Sequence, residues 1–115
     1  MEEILVPTDF SSTSMAAMEV AFSIAKQTGS QIRLLHVVEE VIPNSYTVSG
    51  EGHPVLQEEG RFNAMLIRRS HDKLEKLVKD KRFNEIEING ELRVGNPFHG
   101  IRSIITEHEP DLVVM

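Results

Sequence analysis

The sequence predicts a doubly wound α/β fold built on a mainly parallel sheet. Short apolar runs alternate with longer segments of helical periodicity. Two of the runs, Ile4-Leu5-Val6 and Leu112-Val113-Val114, are apolar without alternation, as suits strands covered on both faces. Cap-forming residues punctuate the joints between the segments.

Ile4 to Val6 reads as the first strand. Ser11 and Ser12 follow as cap candidates for a first helix, in which Met15, Met18, Phe22 and Ala25 recur at helical spacing. Gly29 stands where a left-handed C-cap is wanted. Gln31 to Val38 is the second strand, nearly as apolar as the first. A second helix is expected from about Phe62 to Lys81, with Leu66 or Ile67, Leu74, Leu77 and Val78 as its buried stripe. Asp72→Lys76 and Glu75→Lys79 pairs would face water. Residues 39–60, with Pro43, Ser45, Ser49, Gly50, Gly52, Pro54 and Gly60, show no clear period and read as a long loop.

From Glu85 to Val94 the pattern changes. Ile86, Ile88, Leu92 and Val94 alternate with charged and amide residues, which suits an edge strand with one wet face. Gly90 at an inward position suggests a bulge. Asn96 as N-cap and Pro97 at the first helical position open a third helix carrying Ile101, Ile104 and Ile105, and Pro110 closes it. The order is β-α-β-α-β-α-β, and right-handed crossovers place the helices on the sheet.

A chain of 115 residues fits one domain, 1–115, and is long enough for a core without staples. With 12 Lys+Arg against 18 Asp+Glu the formal net charge is −6, which argues against a general nucleic-acid partner needing a basic stripe. The absence of cysteine excludes a disulfide framework, a thiolate metal site and a Cys nucleophile. Met1-Glu2-Glu3-Ile4 lacks a basic start and apolar stretch, and no apolar run approaches the roughly 20 residues that span a bilayer. No membrane partner is expected, and the expected compartment is the cytoplasm. The sequence stops within the apolar run Asp111-Leu112-Val113-Val114-Met115.

Chemistry in such a sheet belongs outside the C-terminal ends of the strands. The first strand ends in Pro7-Thr8-Asp9-Phe10-Ser11-Ser12, which is not a phosphate-cradling glycine turn. Asp9 could accept hydrogen bonds from a ribose or base edge, while Pro7 and Thr8 line a base slot. The plainer reading, favoured on the residues alone, is that Asp9 and the serines serve free N–H groups at the helix start. His36, His53, His71, His99 and His108 share no metal-ligand spacing, so no metal is expected. His36 and His71 read as core residues, and His108 as a partner of a helix dipole. Ser11, His36 and Asp9 make a triad only on paper, since no nucleophile elbow is present. A phospho-receiver would want a second acid beside Asp9 and an Asp where Val94-Gly95 stands. No catalytic residues are expected.

Glu3-Ile4-Leu5-Val6-Pro7-Thr8-Asp9-Phe10-Ser11, Ala25-Lys26-Gln27-Thr28-Gly29 and Leu34-Leu35-His36-Val37-Val38 resemble the universal stress protein family. Val94-Gly95-Asn96-Pro97 and Asp111-Leu112-Val113-Val114-Met115 extend the resemblance over nearly the whole chain except 39–60. The resemblance implies a five-stranded parallel sheet of order 3-2-1-4-5, pairing into dimers, and a cytoplasmic stress response. It also implies that ATP, in members that bind it, lies against the positions of Pro7, Thr8, Asp9, Val37 and Met115. The phosphates of ATP are held in those members by a later motif: Gly, two residues, Gly, nine residues, Gly, then Ser or Thr. That motif would begin just after Met115, and with it go a final helix and strand. The expectation is a non-enzymatic regulatory module with an incomplete nucleotide site and no cofactor of its own. ATP affinity would be about millimolar or weaker, and ATP would be the cofactor were the missing motif supplied. The alternative is a fragment of an ATP-binding switch or weak ATPase. Residues 111–115 would then leave an apolar edge open to a homodimer or other self-association.

Overall fold

The structure, a computed structural model, describes residues 2–39 and 53–115, the side chains of 53–62 excepted. The elements are β1 (Glu3–Pro7), α1 (Ser12–Thr28), β2 (Gln31–Val38), α2 (His53–Val78), β3 (Ile88–Val94), α3 (Pro97–His108) and β4 (Leu112–Val113). A single 3-10 turn, Lys81–Phe83, joins α2 to β3. All strand pairs are parallel, in the order β3-β2-β1-β4. Sequence order therefore runs outward from β1 through β2 to β3, then returns across the sheet to β4. β3 occupies an edge, as its alternation predicts.

The uninterrupted apolar runs of β1 and β2 follow from two cores. Ile4, Val6, Ile32 and Leu34 point to the face covered by α1 and α2, where Met18, Ala21, Ala25, Leu74, Leu77 and Phe83 are buried with them. Leu5 and Leu35 point the other way, to Ile104 of α3. Consecutive strand residues go to opposite faces, so a strand covered on both sides is apolar throughout. Full burial of Ile104 stabilises the second core by about 1.5–3 kcal/mol.

The helix ends follow the capping residues. The Ser11 hydroxyl accepts the Ser14 N–H at 3.2 Å, and Gly29 adopts φ 71°, donating its N–H to the Ala25 carbonyl. Asn96 Oδ1 accepts the N–H groups of both Phe98 and His99. At the far end Glu109 turns left-handed at φ 46°, and Pro110 ends the helix. Asp111 then accepts the N–H groups of Glu2 (2.7 Å) and Glu3 (3.0 Å), fastening β4 beside β1.

Five expectations are corrected. Helix α2 begins at His53, nine residues before the sequence pattern suggests, and ends at Val78. Pro54 is compatible with its first turn, while Gly60 inside it weakens the helical signal. The loop read over 39–60 is thereby shortened, and its residues 40–52 lie outside the described residues. The third strand starts at Ile88, because Asp80 caps the 3-10 turn through the Arg82 N–H and buried Phe83 anchors it. Gly90 makes no bulge: register with β2 is one-to-one from Ile32↔Ile88 to Val38↔Val94. A Cβ at Gly90 would instead meet Val78 Cγ2 at 3.0 Å, so glycine is there to admit α2. His71 is not a core residue. Its side chain is 55% exposed, between Asp72 and Glu75, and Ser70 takes the buried position instead. The inward positions of α2 are held by Ser70, Leu74 and Leu77, which leaves His71 beside Glu75 on the outer flank of the helix.

Candidate functional site

The return crossover to β4 opens a cleft at the C-terminal ends of β1, β2 and β4, where an open α/β sheet binds ligands. It has a volume of about 730 Å³ and is lined by Pro7, Thr8, Asp9, Val37 and Met115 together with Ser11, Thr13, Ser14, Leu35, His36, Glu39, Pro97 and Ile101. All five residues singled out in the sequence thus converge on one space.

Thr8 is the best-tied of them. Its N–H donates to the Leu35 carbonyl at 2.8 Å, and its carbonyl lies 2.7 Å from His36 Nδ1. Its hydroxyl accepts the Phe10 N–H and donates to the Ser14 hydroxyl at 2.9 Å. Thr8 therefore shapes the cleft, with its polar groups engaged by the protein itself. A carbonyl accepts only, so His36 donates from Nδ1. The imidazole is held further by the Phe10 ring, 4.4 Å away between centroids.

Phe10 is left-handed at φ 65°, a conformation that costs a residue with a Cβ about 1 kcal/mol or more. This turn redirects the chain from β1 into α1 and places the Phe10 ring on His36. It also brings Asp9 to the rim, where Oδ1 accepts the Ser11 N–H at 2.9 Å. The Ser11 hydroxyl, then the Ser11 N–H and the Ser14 hydroxyl, hold the Asp9 carboxyl below its ordinary range. Asp9 is consequently an anion at neutral pH.

The paper triad is not assembled. His36 donates from Nδ1 to the Thr8 carbonyl and not to Asp9, so the acid does not orient the base as a triad requires. His99 lies in the first turn of α3, and His108 lies at its end with Nε2 3.9 Å from Glu107. Among the described residues no three His, Asp or Glu side chains form a metal-holding group. No helix among them is long and apolar enough to cross a membrane.

Sequence reasoning missed several lining residues. Glu39, the first residue after β2, carries a second carboxylate to the rim. Its position directly after a strand whose neighbour ends in Pro7-Thr8-Asp9 was the available signal. Pro97 and Ile101 enter because α3 packs over β2, which periodicity alone does not reveal.

An open parallel sheet with its cleft at the reversal of strand order defines a doubly wound α/β binding domain. The chain belongs to the universal stress protein family, whose family model matches residues 1–115. Among solved structures it is similar to the universal stress protein UspA from Lactobacillus plantarum. The two are 25% identical with a TM-score of 0.77, over 98% of this chain and 74% of that one. A universal stress protein solved in complex with cAMP shares the fold at 22% identity and a TM-score of 0.59, over 99% and 75% of the two chains. An Arabidopsis thaliana family protein with AMP bound does so at 16% identity and 0.53, over 100% and 77%. No curated protein matches the chain.

Proposed function

We propose that this chain is a non-enzymatic regulatory module of a cytoplasmic stress response, and that its cleft takes the base and ribose of an adenine nucleotide. The observation that carries this reading is the convergence of Pro7, Thr8, Asp9, Val37 and Met115 around one cleft at the strand ends. The wall formed by Val37, Ile101 and Met115 is apolar and suits a flat base. Asp9, an anion at the rim, suits ribose hydroxyls as donors. Fold relatives with cAMP and with AMP bound support the same class of ligand.

The 115 residues contain no Gly-x-x-Gly sequence, so the glycine-rich phosphate cradle of ATP-binding members is not among them. Binding of the 115-residue chain to ATP is accordingly expected at about millimolar or weaker. An ATP-binding switch or weak ATPase remains the second reading, for a protein in which that cradle is supplied. Amide spectra of the labelled chain test the first. Titration with AMP should shift Thr8, Val37 and Met115 saturably, and an unchanged spectrum up to about 10 mM would sink it.

Self-association through residues 111–115 is part of the proposal. β4 pairs with β1 on one side, Ile4↔Leu112 and Leu5↔Val113, and among the described residues no strand pairs with its other side. Met115 beside it is 78% exposed. Light scattering at tens of micromolar should show dimers or larger species. A monodisperse monomer would overturn this part.

A further inference from the structure

The charge of the cleft carries a further reading, which rests on the adenine site proposed above. Among the described residues its lining holds two carboxylates, Asp9 and Glu39, and no Lys or Arg. The one basic side chain there, His36, has its Nδ1 committed to the Thr8 carbonyl. The chain as a whole carries a formal charge of −6. Counter-charge for a phosphate is thus missing from the cleft lining among the described residues.

We propose that the cleft selects its ligand by charge, taking uncharged adenosine ahead of AMP and AMP ahead of ATP. Base and ribose contacts are common to all three, so the difference between them isolates the phosphates. A phosphate group attached at the ribose brings its charge to within roughly 10 Å of the carboxylates at the rim, where repulsion costs about twofold in affinity per charge pair in a mostly aqueous setting. Several such pairs act on ATP, giving about a tenfold preference for adenosine at low salt. Screening shortens the reach of that repulsion to about 4 Å at 0.5 M salt, so the preference must shrink there. The ligand class is a neutral purine nucleoside, and the phosphates act as the excluded feature.

Calorimetric or amide-shift titrations with adenosine, AMP, ATP and ATP with Mg²⁺ test this on the 115-residue chain. Each is run at low salt and at about 0.5 M, and repeated with Glu39→Gln. The expected result is adenosine first and ATP last at low salt, with the adenosine-to-ATP ratio reduced both by salt and by Glu39→Gln. ATP binding as tightly as adenosine, with or without Mg²⁺, overturns charge selection while leaving the adenine site standing. A ratio insensitive to both salt and Glu39→Gln also overturns it. Failure of all four ligands to bind removes the adenine site and this inference together.

Discussion

A Cβ placed on Gly100 would stand 2.7 Å from Cγ2 of Val37, so α3 lies against the cleft wall at the closest approach its backbone permits. Gly100→Ala forces either α3 or Val37 to move. Overpacking costs about 1–3 kcal/mol, while alanine returns about 1 kcal/mol of helix propensity. A net loss of about 1 kcal/mol is expected in urea unfolding. Adenosine affinity should fall as well, because the residue displaced lines the site. An unchanged stability with unchanged affinity would mean the contact relaxes without cost.

Asp111 gives a pH dependence with a definite sign. Its carboxyl is lowered from the ordinary 3.8 chiefly by the Glu3 N–H, then by the Glu2 N–H. A carboxyl lowered by folding stabilises the protein above its unfolded value, and that contribution disappears as pH falls through the folded value. The stability difference between the wild type and Asp111→Asn should be present at neutral pH and shrink below about pH 4. Urea midpoints of the two proteins across this range check it, and a gap that widens on acidification would contradict it.

Glu3 and Arg33 form an ion pair across β1 and β2, with Nε 2.8 Å from Oε1 and side chains only 9% and 17% exposed. Removing one partner strands the other in a half-dry place, so Glu3→Leu or Arg33→Met alone should cost about 1–3 kcal/mol. The double replacement Glu3→Leu with Arg33→Met should lie within about 1 kcal/mol of wild type. Additive single effects in this cycle would show that the pair is not coupled.

Asn96 holds two N–H groups at the start of α3, which faces the cleft through Pro97 and Ile101. Asn96→Ala should cost about 1 kcal/mol, and Asn96→Ser about half or less of that, because serine also caps. Thermal unfolding distinguishes the two. Equal losses would place the role of Asn96 outside capping.

The elements most legible in the sequence are those whose residues make their own case. Ser11, Gly29, Asn96 and Pro97 specify chain conformation locally, and each ends its helix where its chemistry implies. β1 and β2 are equally plain, since burial on both faces makes their central residues apolar on consecutive positions. His71 and Gly90 are misjudged because their surroundings depend on how α2 seats on β3. The spacing of His71 fits a stripe, yet the buried positions fall on Ser70, Leu74 and Leu77, and His71 stays half-exposed beside Glu75. Gly90 is explained only by Val78 and Leu74, side chains on another element. For the site, the end of β1 could be picked out from topology, whereas Val37 and Met115 came from the family resemblance. Glu39, His36 and Gly100 gain meaning only when β2 and α3 are seen packed together.

The fastening of β4 to β1 also sets the pace at which the molecule can assemble. Glu3 meets Asp111 across 108 residues, and its strand precedes the three it is sheeted with. Closing so long a loop is entropically slow, and topologies dominated by distant pairings fold late. On the ribosome, β1 must therefore wait, its Leu5 side without Val113, until β4 has emerged. The apolar strand at the heart of the sheet is, during that interval, the segment most in need of a chaperone.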